Sequence, residues 1–214
     1  MPLRVSCLVA ALLIVPCLAW AQRAPLPLFV ADVRTGPAAL GTDATTAADA
    51  GVFTNRLPAA AWSLSADVEV RVIRVRHVAM GAGVTAWMAR SLALSMPATE
   101  DVVDPRMPPV FSRRLNGWSG LVSLGIGGRD TWGYVSAGAG PLRFQTVSDQ
   151  QPHGATAAPV TAEIGAGLRW FRSAHFGAVI DVRAYRSPAL AATANTFGRG
   201  PKVVWTFTAG LALR

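Results

Sequence analysis

The alternation of side-chain character between Trp62 and Val72 constrains this chain more than any other segment does. Every second residue from Trp62 onward is apolar, and the residues between are polar or charged, namely Ser63, Ser65, Asp67, Glu69 and Arg71. Successive side chains of a β-strand point to opposite faces, so the segment predicts a strand with one apolar face and one ionic face. An α-helix would spread both sets around its surface. The fold class depends on which face points inward.

The same alternation recurs along the chain and predicts eight strands. Their ranges are 26–36, 62–73, 78–90, 113–127, 132–145, 160–171, 175–187 and 202–213. The connections between them are alternately long and short, with the short ones at 74–77, 128–131 and 172–174. The phase of the fifth strand stays open, because Gly138, Gly140 and Pro141 interrupt its alternation.

Alternating connection length is typical of transmembrane β-barrels, which have long external loops, short periplasmic turns and an even number of strands. An open sheet edge in a bilayer would leave backbone groups without partners, so the sheet must close. We therefore predict an all-β fold, a closed eight-stranded antiparallel up-and-down transmembrane β-barrel over residues 22–214. Aromatic residues near the strand ends would form its interfacial belt: Trp62, Trp118, Trp132, Trp170, Phe176 and Trp205. Trp87 falls on the inward phase.

Composition agrees with this prediction. The chain is 51% hydrophobic with a mean hydropathy of +0.35, yet after the N-terminus no apolar run approaches the ~18 residues of a membrane helix. The formal net charge of +8 favours anionic headgroups and lipopolysaccharide as partners, and by itself it indicates no nucleic acid.

Residues 1–21 have the pattern of a cleaved signal peptide. Arg4 precedes a short apolar run, and Ala19-Trp20-Ala21 supplies the small-x-small cleavage pattern, so we expect the mature chain to begin at Gln22. Both cysteines lie within this segment, which leaves the mature chain without a thiol for a disulfide, a metal or a nucleophile. We expect export across the inner membrane and an outer-membrane location.

The chain resembles the small eight-stranded outer-membrane β-barrel proteins, the class that includes the membrane domain of outer-membrane protein A. The resemblance covers residues 26–213 as a pattern, and two segments, Val30–Arg34 and Val179–Arg183, carry it most clearly. Each places an aspartate and an arginine two apart on the inner face. The resemblance implies a monomer in the outer membrane. One difference is Arg214, because such barrels usually end in an aromatic residue.

The inner faces carry five acids and four bases. An ion path or a binding site is one interpretation. We favour a mutually neutralising ionic core, because an eight-stranded barrel is only wide enough for its own side chains, and paired charges are tolerated there. The predicted network consists of Asp32, Arg34, Asp67, Glu69, Arg71, Glu163, Arg169, Asp181 and Arg183. Strands one and seven both flank strand eight, so Arg183 is expected to pair with Asp32 or Asp181. The expected role is structural or surface-interactive through the outer loops, without catalysis and without a cofactor.

Two alternatives use the same alternation. A soluble lipocalin-like barrel would turn its apolar face inward around a hydrophobic ligand. A lipid-modifying outer-membrane enzyme would need a nucleophile activated by a base. Of the three histidines, His77 and His175 fall beside short turns, and His153 lies in a polar loop near Ser148 and Asp149.

Glycine pairs at 81/83, 138/140 and 165/167 invite comparison with a phosphate-binding loop. Each pair falls inside a strand instead of between a strand and a helix, so the required context is missing. We interpret them as small inward residues that let a narrow barrel close.

Overall fold

The computed structural model describes residues 27–41, 44–49, 54, 57–91, 111–148, 158–191 and 199–214. The predicted signal peptide, most of the long connections and His153 lie outside these described residues.

Eight strands and one short helix make up the described chain. They are β1 (Phe29–Ala39), α1 (Ala44–Asp49), β2 (Ala60–Val75), β3 (Val78–Arg90), β4 (Phe111–Gly127), β5 (Thr131–Ser148), β6 (Val160–Phe171), β7 (Phe176–Ser187) and β8 (Lys202–Leu213). Each strand pairs antiparallel with the next, and β8 pairs with β1 to close the barrel. The predicted fold class is confirmed. Within the described residues, no helix is both long and apolar enough to cross a membrane.

The two ends of the barrel differ. Residues 76–77, 128–130 and 172–175 make tight turns at one end, where Leu28 and Arg214 also lie. We call this the turn end. The long connections all leave the opposite end, which we call the loop end.

Two strands contain a proline at an interruption of one ladder, and the first of these strands extends beyond its predicted end. The sequence predicts that the first strand ends at Gly36, but β1 continues through Pro37 to Ala39. Pro37 pairs with β2, whereas the ladder to β8 is interrupted at residues 36 and 37. Pro141 similarly pairs with β6 next to an interruption in the ladder between β4 and β5. Proline has no N–H to donate, so it fits where one ladder is broken.

The hairpin between β2 and β3 departs from strict alternation. The register shifts between Arg71 and Ile73, and residues 72–75 are all exposed. The turn itself is formed by Arg76 and His77. The alternation that begins at Trp62 therefore ends at Arg71, the last inward side chain of β2.

The outer face of the barrel is apolar along most of its height. Its exposed residues include Val33, Leu64, Val68, Val84, Val122, Val135, Ile164, Phe207 and Leu211. The charged side chains between them point inward and are buried. This polarity is the reverse of a water-soluble protein, in which charged residues are almost always at the surface. The strand that contains Trp62 therefore has its ionic face inside the barrel and its apolar face outside.

Large aromatic side chains lie near both rims of the apolar face. Trp62, Trp118 and Trp205 are towards the loop end, and Trp170 and Phe176 are at the turn end. Their exposed fractions lie between 41% and 64%. This distribution matches the predicted interfacial belt for five of its six members.

The sixth member, Trp132, was assigned wrongly. It points into the barrel, is 0% exposed and stacks on Phe171 with ring centroids 5.0 Å apart. The burial pattern also gives β5 its phase, with Trp132, Tyr134, Ser136 and Leu142 inside. Trp87 points inward as its phase predicts.

The barrel interior has three layers. The turn-end plug is a cluster of Val30, Ala79, Trp132, Tyr134, Phe171, Val179 and Ala212. The loop-end plug is a cluster of Ala38, Leu40, Ala61, Trp87, Ala89, Leu115, Leu142, Tyr185 and Val204, with Phe144 packed against it. The inward charged residues lie between the two plugs. The sequence predicted these charged residues but did not reveal the two plugs.

Candidate functional site: the ionic layer

Nine charged residues form the layer between the plugs. They come from two separate walls of the barrel: Asp32 and Arg34 of β1, Asp67, Glu69 and Arg71 of β2, Glu163 and Arg169 of β6, and Asp181 and Arg183 of β7. None is more than 3% exposed. Every charged residue that the sequence assigned to the lumen therefore lies in this one layer.

Four of these residues alternate in a closed ring of ion pairs. Arg34 Nη2 lies 2.6 Å from Asp67 Oδ2, and Arg34 Nη1 lies 2.8 Å from Asp181 Oδ2. Arg183 bridges the same two aspartates, with its Nε 3.0 Å from Asp181 Oδ1 and its Nη2 on Asp67. Arg183 Nη1 also reaches Glu163, at 3.5 Å. Arg34 thus pairs with two carboxylates, and Arg183 pairs with three.

Apart from Glu163, which pairs with Arg183, the other four residues form a second cluster nearer the turn end. Arg169 donates from Nε and Nη2 to Asp32 Oδ2, at 2.9 and 2.6 Å, and from Nη1 to Glu69 Oε2 at 3.2 Å. Arg71 Nε lies 3.4 Å from Glu69 Oε1, and its guanidinium stacks over Trp132 at 4.4 Å. Arg71 therefore joins the ionic layer to the turn-end plug.

Tyr134 connects the two clusters. Its hydroxyl donates to Asp181 Oδ2 at 2.6 Å and accepts from Arg34 Nη1 at 3.0 Å. The guanidinium of Arg169 lies over the Tyr134 ring, 3.9 Å from its centroid, a favourable cation–π arrangement. The sequence missed Tyr134 because the phase of β5 was left open.

Hydroxyl groups from β3 and β4 donate further hydrogen bonds to three of the carboxylates that pair with arginines. Each donates to one acid: Thr85 to Asp67, Ser123 to Glu69 and Ser119 to Glu163. These three residues lie on the inward phase of their strands. Their polarity among small inward residues is the sequence signal that could have identified them.

Inward glycines leave room for the large charged side chains. A Cβ on Gly81 would lie 2.6 Å from Glu69 Oε1, and one on Gly165 would lie 2.9 Å from Arg183 Cγ. The interpretation of the glycine pairs as space for a narrow barrel is therefore confirmed at these positions.

The sequence predicted that Arg183 pairs with Asp32 or Asp181, and the structure distinguishes between them. Arg183 pairs with Asp181, whereas Asp32 pairs with Arg169 on β6. The expected contact between strands one and seven is made by Arg34 and Asp181. Asp32 lies closer to the turn end than Arg34 does, and Arg169 extends to it from the wall beyond β7.

The arrangement is suited to holding the barrel walls together. Its five carboxylates and four guanidiniums nearly neutralise each other, and both plugs separate them from water. Within the described residues, no group of three or more His, Cys, Asp or Glu side chains is placed to hold a metal ion. Any solute passing through the lumen would have to displace both plugs and break several ion pairs.

Arg214 is part of a second, smaller network at the turn end. Its Nε donates to Ala174 O at 2.9 Å, and its Nη2 donates to Asp130 Oδ1 at 2.8 Å and to Ser173 O at 3.1 Å. The guanidinium lies over Phe171, 4.5 Å from its centroid. Arg214 therefore joins β8 to two turns and covers the turn-end plug, where an aromatic residue is usual.

The described histidines are both at the turn end. His175 Nδ1 lies 3.4 Å from the backbone oxygen of Arg214, and His77 Nδ1 has no hydrogen-bond partner. Among the described residues, neither imidazole ring hydrogen-bonds a carboxylate or a serine hydroxyl, as a catalytic base would; the bond from His175 to Ser173 Oγ is made by the backbone N–H.

Comparisons with known proteins give a likeness of fold. No protein-family model and no curated protein matches the sequence. Neisserial surface protein A is similar in structure, with 10% identity and a TM-score of 0.50 over 87% of this chain and 97% of that chain.

Two further solved structures resemble the chain less closely. The N-terminal β-barrel domain of Pseudomonas aeruginosa OprF has 14% identity and a TM-score of 0.44 over 88% of this chain and 98% of that chain. The outer membrane enzyme PagL has 9% identity and a TM-score of 0.45 over 87% and 99%. The chain thus has the fold of the small eight-stranded outer-membrane β-barrels.

Proposed function

We propose that this protein is a monomeric outer-membrane β-barrel with a closed polar lumen. Its role is structural or surface-interactive through the loops at the loop end, without catalysis. The observation that carries the proposal is the inverted polarity of the barrel. Large apolar side chains such as Val122 are 62% exposed, while the nine charged residues of the ionic layer are at most 3% exposed.

A lipid environment accounts for this polarity. An exposed apolar surface around the whole circumference would be unfavourable in water, and it is favourable in hydrocarbon. The tryptophans near the rims lie where their amphipathic rings would reach the headgroup region. Because β1 pairs with β8, the barrel has no open sheet edge whose backbone N–H and C=O groups would lack hydrogen-bond partners in lipid. Outer-membrane lipids, including lipopolysaccharide, are accordingly the proposed immediate partners.

The filled interior argues against the soluble alternative. A lipocalin-like barrel holds its ligand in an apolar cavity and presents charge to water. Here the middle of the interior is occupied by ion pairs such as Arg34 with Asp67, and its two ends are occupied by the plugs.

A fractionation experiment tests the proposed location. The full chain is expressed in a Gram-negative host, and the outer-membrane and periplasmic fractions are run on gels with and without boiling. Folded membrane barrels resist SDS until they are boiled, so we expect two band positions and enrichment in the outer-membrane fraction. A single band position in the soluble periplasmic fraction would overturn the proposal.

Planar-bilayer recording tests the closed lumen separately. Purified refolded protein is expected to give no large, steady conductance, since both plugs and the ionic layer fill the pore. A general porin inserted under the same conditions is the positive control. Reproducible conductance comparable with the porin would mean that the lumen is open.

A further inference from the structure

Three arginines lie together on the outer face at the loop end. They are Arg90 of β3, Arg114 of β4 and Arg143 of β5, and we call them the arginine patch. Arg90 and Arg114 are directly opposite each other across the β3–β4 ladder. Arg143 is opposite Asn116, two residues along β4 from Arg114. All three arginines are exposed.

This arrangement is electrostatically unfavourable without an anion. Directly opposed side chains have Cβ atoms about 4.5–5.5 Å apart, and like charges at such positions destabilise a sheet. These three arginines share one face of three adjacent strands. None of the described residues gives Arg90, Arg114 or Arg143 a carboxylate or hydrogen-bond partner.

Apolar side chains lie beside the patch, at Trp62, and next to it on the turn-end side, at Met88 and Trp118. Trp62, opposite Arg90 on β2, is 55% exposed, and Met88 and Trp118 are each 57% exposed. In the proposed membrane orientation, the patch is therefore at headgroup level in the leaflet that the loops face. Met88 and Trp118 are at the level of the adjoining acyl chains.

We propose that the arginine patch binds the phosphate groups of a phosphorylated glycolipid of the lipid A class. Its acyl chains would pack on Met88 and Trp118. Guanidinium groups bind phosphate oxygens through two parallel hydrogen bonds. A phosphate between Arg90 and Arg114 would remove their repulsion, and Arg143 would contact the same phosphate or a second one. The proposal rests on the proposed membrane location.

Arg186 of β7 provides a matched control on another wall. It is also exposed at the loop end, but its opposite residues are Ala162 of β6 and Val203 of β8. A lone arginine of this kind needs no anion to relieve repulsion. We therefore expect Arg186 to contribute little to lipid binding.

The test measures binding of diphosphorylated lipid A to the full-length barrel in zwitterionic detergent micelles. Replacing Arg90, Arg114 and Arg143 together by glutamine is expected to weaken binding by at least about tenfold, because charge-assisted hydrogen bonds are lost. Arg186→Gln should leave binding within about twofold, the range expected for a weak exposed charge. Replacing the three arginines by lysine keeps the charge without the paired hydrogen bonds and should give intermediate binding.

Three outcomes would overturn the proposal. They are unchanged binding by the triple glutamine variant, equal binding of dephosphorylated lipid A, and full competition by inorganic phosphate, which would indicate a site for a free anion. Unchanged binding is also the result expected if Glu100, Asp101 and Asp104 of the 92–110 segment, outside the described residues, neutralised the patch. Gel mobility with and without boiling verifies that each variant is folded. An unfolded parent would instead contradict the proposed function.

Discussion

Arg169 of β6 places Nε and Nη2 2.9 and 2.6 Å from the same carboxylate oxygen of Asp32 on β1. Strands β7 and β8 lie between them in the barrel wall, so the contact crosses the lumen. Both side chains are at most 1% exposed. Buried charges persist only where each has a partner, and this pair therefore ties two walls of the barrel together.

Arg169→Met is expected to lower the free energy of unfolding by about 3–5 kcal/mol, because Asp32 loses the arginine that pairs with it in a dry interior and Glu69 keeps only Arg71. Adding Asp32→Asn should recover part of that loss. A double-mutant cycle by urea unfolding in lipid vesicles measures the coupling. Asp130→Asn, at the partly exposed pair with Arg214, is the control and should cost at most about 1 kcal/mol. Strictly additive effects at Asp32 and Arg169 would mean that the lumen is hydrated.

Second-site changes should separate the partners of Arg183. Arg183→Ala leaves three carboxylates without this guanidinium, those of Asp67, Glu163 and Asp181. Asp181→Ala or Glu163→Gln in the same background should restore part of the lost stability. Asp32→Ala should restore none, because its partner is Arg169. Unfolding free energies of the double variants test this order, and rescue by Asp32→Ala would contradict it.

Gly167→Ala should disturb the connection between the two ionic clusters. The added Cβ would lie 2.5 Å from the backbone oxygen of Ile180 and 2.6 Å from both Cζ and the hydroxyl oxygen of Tyr134, so β7 and the ring that bonds Asp181 must both move. Overpacking of this kind costs about 1–3 kcal/mol. Gly120→Ala is the control, because its Cβ would meet nothing within 4 Å. Equal unfolding free energies for the two variants would show that Tyr134 and the β7 backbone at Ile180 both move at little cost.

Depth in the bilayer should determine the cost of an outward charge. Val68 lies at the middle of β2 and is 48% exposed, so Val68→Arg is expected to destabilise the barrel by about 2–4 kcal/mol. Val160 begins β6 at the loop end and is 69% exposed, so Val160→Arg should cost only about 0–1 kcal/mol. Refolding stability in vesicles compares the two. A larger loss at Val160 would contradict the proposed depth of these two residues in the bilayer.

The strands could be predicted from the sequence because a two-residue period is a local property. β6 and β8 begin and end at the predicted residues, 160–171 and 202–213. The sequence did not show which residues of β5 point inward. That choice is made from alternating polar and apolar side chains, and Gly138, Gly140 and Pro141 do not alternate in this way. Trp132 was misassigned for a related reason, because an aromatic residue at a strand end suits either an interfacial belt or a plug.

The partners within the ionic layer could not be predicted from the sequence. Alternation places Asp32, Arg169 and Asp181 inside, but which of them meet depends on the strand stagger and on how far each side chain extends across the lumen. Contacts between strands that are not neighbours leave no local pattern in the sequence. Arg90 and Arg114 lie on neighbouring strands, but they are opposite each other because of the register of β3 and β4, which no local pattern shows either.

Quenching of single tryptophans by brominated lipids tests the central claim most directly, namely that the apolar face meets lipid while the opposite face is sealed inside. Two variants retain either Trp118, which is 57% exposed, or Trp132, which is 0% exposed, with the other tryptophans replaced by phenylalanine. After refolding into vesicles with brominated acyl chains, Trp118 should be strongly quenched and Trp132 nearly unaffected. Stronger quenching of Trp132, or no quenching of either residue, would contradict the account.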